Sequence, residues 1–297
     1  MQTPTRVIAF WALLLSILGI AAFGYLQGTP QDIINAVRSG DLEDVSAELA
    51  RDPTRVHTKV FPQAYERLSQ QQEYMSRHGQ SPWKGRYLIH DALARGDVPI
   101  LEALARAGAY LAVRIEGRSL LHIAARDGDI KVATWLLDRG ADVQAANDCQ
   151  PKCTELNQTP LHDAQAFRDD EMSALLLARG ALVDAVDANG RSALHIAGGG
   201  GKLGGAFVLC RHGADPARQD AAGKTPYDLA QARLAQEPTL TRGLAEDEER
   251  PQDYGAMLVE WLKPQGGCAT VAAAARAIGS PISDEDARKV FAETVPR

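Results

Sequence analysis

No residue pattern in this chain announces a catalyst. There is no Gly-x-Ser-x-Gly elbow to present a nucleophilic serine, no phosphate loop ending in Lys-Ser/Thr, and no His-Glu-x-x-His pair for a hydrolytic zinc. The run Gly198-Gly199-Gly200-Gly201-Lys202 resembles a phosphate cradle but lacks the following hydroxyl. In its place it predicts a weakened, flexible stretch, because glycine disfavours a helix. A basic excess is missing too. The formal charge is −6 and the isoelectric point about 5.7, which argues against a nucleic-acid binder. Cysteine is scarce, four in 297 residues, a number compatible with an oxidising compartment without demonstrating one. These absences predict a non-enzyme with no cofactor and no resident metal.

Charge is absent from Val7 to Leu26, an uninterrupted stretch of apolar residues, glycine and serine. Twenty helical residues span about 30 Å, the thickness of a bilayer's hydrocarbon core. Arg6 precedes the stretch and the first charge after it is Asp32. The positive-inside bias therefore places residues 1–6 in the cytoplasm and everything beyond Leu26 across the membrane. Gly19-Ile20-Ala21 and Ala22-Phe23-Gly24 are poor cleavage sites, and Trp11 and Tyr25 suit membrane interfaces. The expectation is one transmembrane helix serving as a signal anchor, with a cleaved signal peptide as the alternative.

Behind it the chain is ordinary globular material, 45% hydrophobic and 24% charged, with a beat running through it. Histidine returns at His90, His122, His162 and His195, and Asp228 continues the series, at intervals of 32, 40, 33 and 33 residues. The surrounding text repeats as well: Gly117-Arg118-Ser119-Leu120-Leu121-His122-Ile123-Ala124-Ala125, Thr159-Pro160-Leu161-His162, Gly190-Arg191-Ser192-Ala193-Leu194-His195-Ile196-Ala197 and Gly223-Lys224-Thr225-Pro226-Tyr227-Asp228-Leu229-Ala230. A second constant element precedes each of them, Arg106-Ala107-Gly108-Ala109, Arg139-Gly140-Ala141-Asp142, Arg179-Gly180-Ala181 and Arg211-His212-Gly213-Ala214-Asp215. A period near 33 marks stacked helical repeats. Over residues 86–235, and more faintly from residue 31, these motifs resemble the ankyrin repeat.

The pattern has physical content of its own. A hydroxyl before proline suits a helix start. Gly96 and Gly128 suit helix ends at positive φ. Ile130, Ala133, Leu136 and Leu137 recur at helical spacing on a second helix. Neither helix buries its apolar side alone, so neighbouring repeats must stack. A recurrent histidine follows the scaffold and is expected to hydrogen-bond within its turns rather than to ligate or catalyse.

The predicted fold is all-α, a solenoid of five to six helix-turn-helix repeats with short β-hairpin fingers. Its parts are a cytoplasmic N-terminus (1–6), the anchor (7–26), a degenerate first repeat (31–61), an insertion (62–85), the main repeats (86–235), an acidic loop (236–253) and a C-terminal helical cap (254–297). Ser283 and Asp286 read as the capped start of its last helix.

Cys149 and Cys153 fall in the longest interval, where a disulfide would clamp an extended finger; free thiols or a metal site are the weaker readings. Cys210 takes an apolar helix position and reads as core, Cys268 reads as a free thiol, and their pairing is not decided by sequence. The resemblance implies partner contacts on hairpin tips and first helices. Carried over residue by residue, these are Trp83, Lys84, Arg86, Arg95, Ile115, Glu116, Arg118, Arg126, Asp127, Glu155, Leu156, Gln158, Phe167, Arg191, Lys224 and Arg233, a largely cationic set suited to an acidic partner surface. The abundance of alanine, arginine and glycine is similar to that of bacterial proteins, which would make the exported compartment the periplasm. The expected role is binding another protein there, as adaptor or sequestering factor. The alternatives are a metal or small-ligand carrier using Cys149 and Cys153, or a cytosolic scaffold or effector if the chain is not exported.

Overall fold

The computed structural model describes residues 30–58, 87–115, 117–148, 156–166, 170–236 and 254–294. The predicted anchor (7–26), the insertion (62–85) and the acidic loop (236–253) lie outside these residues, apart from Gln236. Among the described residues no helix is long and apolar enough to cross a membrane.

The chain forms two compact units, residues 1–113 and 114–297. In the first, helices α1 (Pro30–Ser39) and α2 (Leu42–Arg51) make one repeat, a 3-10 turn (Pro53–His57) follows, and α3 (Leu88–Ala94) and α4 (Val98–Arg106) make the next. Ile33, Val37, Val45, Leu88, Ile100, Leu101 and Leu104 are buried between them. Each fully buried Leu or Ile contributes about 2 kcal/mol.

The second unit opens with a two-stranded antiparallel hairpin, β1 (Arg114–Ile115) and β2 (Arg118–Ser119), pairing Arg114 with Ser119 and Ile115 with Arg118. Four repeats follow: α5 (Leu120–Asp127) with α6 (Ile130–Asp138), α7 (Pro160–Ala166) with α8 (Asp170–Ala178), α9 (Ala193–Gly200) with α10 (Leu203–Arg211), and α11 (Pro226–Gln236) with α12 (Tyr254–Leu262). First helices pack on first helices, α5 on α7, α7 on α9 and α9 on α11; second helices do the same, α6 on α8 and α8 on α10. Helices α13 (Gly267–Ile278) and α14 (Asp284–Thr294) close the unit.

Fingers are less regular than the sequence predicts. Only the first is a described strand pair, and the finger before α9 is reduced to a single bridge, Val186 to Ser192. Successive tips are tied by backbone bonds instead: Asp148 N–H donates to Gly117 C=O (3.1 Å), Ala188 to Leu156 (2.9 Å) and Ala221 to Asn189 (2.8 Å). On α6 the buried face is Val132, Ala133, Trp135 and Leu136, a register rotated from the Ile130-Leu137 reading. The helix turns to bury Trp135, whose bulk outweighs the two aliphatic residues at its edge.

Among the described residues, the second helices α2, α4 and α6 are capped by aspartate. The Asp41 carboxylate accepts from Glu43 N–H and Asp44 N–H, that of Asp97 from Ile100 N–H, and that of Asp129 from Val132 N–H (3.0 Å). Helix α10 departs from this rule, with Lys202 at its N-cap and no side-chain cap bond.

The fifth repeat's glycines have a packing reason as well as a cost. A Cβ on Gly198 would lie 2.5 Å from Pro226 C=O, so its absence lets α11 approach; Cβ atoms on Gly204 and Gly205 would collide with the Asp170 carboxylate and the Gln165 amide. Five helical glycines (Gly198, Gly199, Gly200, Gly204, Gly205) cost about 1 kcal/mol each against alanine. A disulfide joins Cys210 of α10 to Cys268 of α13 across a sequence separation of 58. Closing a loop of that size stabilises by about 4 kcal/mol, of the same order as the glycine cost. The pairing of Cys210 with Cys268, left open by the sequence, is made because the chain's return past residue 263 lays α13 on α10.

Candidate partner-binding surface

The repeated histidine is spent on the scaffold. Ser119 N–H donates to His122 Nδ1 (3.2 Å) and the Ser119 hydroxyl lies 2.7 Å from the same nitrogen, while His122 Nε2 donates to Gln158 C=O (2.9 Å) in the next repeat. Because Nδ1 accepts from a backbone N–H, the ring is neutral with its proton on Nε2. His162 repeats the arrangement with Thr159 and Arg191 C=O (3.0 Å), and His195 with Ser192 and Lys224 C=O (3.1 Å). Each histidine thus fills the place of the glutamate in a capping box and bolts its repeat to the following one. Burial holds His122 down at about 4 and lowers His162 and His195 as well. Asp228 keeps the local half of the device: its carboxylate accepts from Thr225 N–H and from the Thr225 hydroxyl, both at 2.8 Å, which lowers its pKa.

Several residues expected at the surface are occupied internally. Arg95 donates to Arg38 C=O (2.6 Å) and Ser39 C=O (3.2 Å), closing the end of α1. Arg118 lies 3.8 Å from the buried Asp163 carboxylate. Arg191 makes a two-pronged bond to Asp187, Nε at 3.0 Å and Nη2 at 2.8 Å. Gln158 is buried; its N–H donates to Asn147 Oδ1 (3.0 Å) and its carbonyl accepts from Asn147 N–H (2.9 Å), holding these two residues together. Ile115 sits half-buried in β1, Leu156 half-buried at the finger base, and Arg233 half-buried on α11. Arg126 and Asp127, at the end of α5, pair with each other at 3.3 Å and keep about two fifths of their side chains in solvent. Lys224 is exposed, although its backbone is fixed by Asp220. Trp83, Lys84, Arg86, Glu116, Glu155 and Phe167 lie outside the described residues, as do Cys149 and Cys153.

Other side chains remain in solvent. The constant element before each finger ends in Asp142 and Asp215 in two repeats, and those carboxylates accept from Gln144 N–H (2.8 Å) and Ala217 N–H (3.1 Å). At the equivalent position the other two repeats hold Tyr110 and Leu182, 68% and 64% exposed. Each gives up a turn-capping carboxylate for an apolar group that finds no cover within its unit. Val186 of the second unit is also exposed, at 37%. The signal was present in the sequence, as Tyr110 and Leu182 at a position where the other two repeats carry Asp142 and Asp215. Among the described residues no cluster of His, Cys, Asp or Glu is arranged to hold a metal.

Comparison with known proteins agrees with the geometry. The family model described as Ankyrin repeats (3 copies) matches residues 61–147. The chain is 35% identical over 164 residues, 54% of its length, to the mouse B-cell lymphoma 3 protein homolog, of which it spans 34%. It is 33% identical over 114 residues, 38% of its length, to the Caenorhabditis elegans homolog of transient receptor potential cation channel subfamily A member 1, of which it spans 9%. The chain thus covers about a third or less of these relatives. Paired short helices, glycine-closed second helices and, at His122, His162 and His195, a capping histidine that also bonds the following repeat agree with these matches: the chain carries ankyrin repeats where the family model matches it, over residues 61–147, and its later repeats are built in the same way.

Proposed function

We propose that this protein binds another protein through the fingers of its repeats and acts as an adaptor or sequestering factor. The observation that carries this reading is the exchange of a capping aspartate for exposed Tyr110 and Leu182. Selection for stability alone favours aspartate there, as at Asp142 and Asp215, whereas large exposed side chains of this kind serve as anchors in interfaces. The internal pairing of Arg95, Arg118 and Arg191 shifts the emphasis from charge to apolar contact; exposed Lys224, and Arg126 beside its partner Asp127, offer positive charge to an acidic rim on the partner.

We further propose that the repeats are displayed on the far side of a membrane, in a bacterium the periplasm, tethered by residues 7–26. The charge-free stretch and the flanking Arg6 support this topology. So does the Cys210–Cys268 bridge, since disulfides persist in oxidising compartments. A reporter fused after Leu26 that is active only in the cytoplasm overturns the topology.

Crosslinking in the native cell, followed by identification of what copurifies, tests the binding role. Tyr110→Asp with Leu182→Asp is expected to abolish recovery of the partner while leaving the thermal midpoint unchanged or higher. Undiminished recovery overturns the reading. The carrier alternative requires stoichiometric metal that disappears on changing Cys149 and Cys153 to serine.

A further inference from the structure

The two helices that meet near the end of the chain are attached in different ways. Helix α12 buries Leu258, Val259, Trp261 and Leu262, with the Trp261 ring 5.6 Å from that of Phe207 on α10, and it packs on α9, α10 and α11 as well as on α13 and α14. Large apolar area holds it. Helix α13 buries Gly267, Cys268, Val271, Ala272 and Ala275, a face with little area to remove from water. It packs on α10, and polar bonds add to that packing. Arg276 Nε donates to Gly213 C=O (2.7 Å), Arg211 Nε to Ile282 C=O (2.9 Å), and Ile282 N–H to Arg211 C=O (3.3 Å); the Arg276–Asp215 pair, at 3.8 Å, is half in solvent. The helix that receives α13 is itself the poorest of the second helices, with Gly204, Gly205 and an uncapped start at Lys202.

We propose that Cys210–Cys268 is a redox latch: oxidised, it locks α13 and α14 onto the fifth repeat, and reduced, it lets that pair of helices leave while α12 and the repeats stay folded. Opening consumes two electrons and two protons from a dithiol reductant. One reductant thiolate attacks a cysteine sulfur, forming a mixed disulfide and expelling the other cysteine as thiolate. The reductant's second sulfur then displaces the first cysteine, closing its own disulfide and leaving two protonated cysteines. Both cysteines are fully buried, so attack waits on a prior movement of α13. The latch is therefore slow to open and stable once closed. Release would uncover Cys210 and Gly213, on which Cys268 and Arg276 of α13 rest. This inference concerns the purified chain and stands whether or not the partner-binding reading survives.

Hydrogen exchange on the full-length protein tests it, before and after dithiothreitol treatment and in the double variant Cys210→Ala/Cys268→Ala. The variant leaves Cys149 and Cys153 in place, so it isolates this bridge. The expected result is exchange at least tenfold faster across residues 267–294 in both arms, with residues 120–138 and 254–262 unchanged. Unchanged protection of 267–294 overturns the latch, as does an effect of reduction that the variant does not reproduce. Loss of protection throughout residues 114–297 overturns it as well, because the bridge would then be a requirement of the whole unit.

Discussion

Acid should dissolve the stacking of the repeats before it titrates most carboxylates, and His122 sets the size of the effect. Its ring must stay neutral, because Nδ1 accepts from Ser119 N–H and the ring is fully buried. The folded-state pKa of about 4 lies below the ordinary 6.5, so between these values the unfolded chain binds the proton and the folded one does not. Stability is then complete above pH 6.5 and falls as the pH drops toward 4. At pH 5 the difference in proton affinity amounts to about 2 kcal/mol from this residue. His162 and His195 shift in the same direction for the same cause and add to it. Urea unfolding of the wild type and of His122→Asn, followed by circular dichroism at pH 7.5, 6.5, 5.5 and 5.0, measures the contribution. The variant is expected to be less stable at pH 7.5 but to lose about one proton's worth of slope between pH 6.5 and 5. Parallel pH profiles for the two proteins would refute the assignment of a neutral, buried ring.

Other perturbations discriminate between packing and propensity. Gly198→Ala should destabilise by about 2 kcal/mol, since its new methyl meets the Pro226 carbonyl, whereas Gly199→Ala, with its nearest neighbour Leu229 Cβ at 3.8 Å, should stabilise by up to about 1 kcal/mol. Thermal midpoints of the pair decide this; a shift in the same direction for both defeats the account of the glycine run. Asp129→Ala removes the bond to Val132 N–H and should cost about 1 kcal/mol in denaturant titration, while Asp127→Ala two residues earlier should be close to neutral. Leu182→Asp alone should raise the thermal midpoint slightly by restoring the cap that Asp142 and Asp215 provide; a clear drop would mean that Leu182 serves the fold rather than recognition.

Repetition is what made the fold legible. A capping histidine three residues into a helix leaves the same trace wherever the device recurs, and four copies with an aspartate variant at 228 outweigh local ambiguity. Helix rotation was less legible, since Trp135 decides the buried face of α6 and spacing alone gives Ile130 and Leu137 equal standing. Among the surface residues, a side chain's position in the repeat was predictable but its occupation was not. Arg95 and Gln158 are consumed by Arg38, Ser39 and Asn147, which are distant in sequence or lie across a finger.

Periodicity by itself determined that short helices pair and stack and that the recurrent histidine is structural, because these follow from hydrogen-bonding demands within about six residues and from apolar faces that must be covered. Three-dimensional proximity alone decided that Cys210 finds Cys268, that the glycines of the fifth repeat admit Pro226, Asp170 and Gln165, and which arginines keep their charge for solvent. Those outcomes depend on which residues of different repeats come within a few ångströms of one another, and no local pattern encodes that distance.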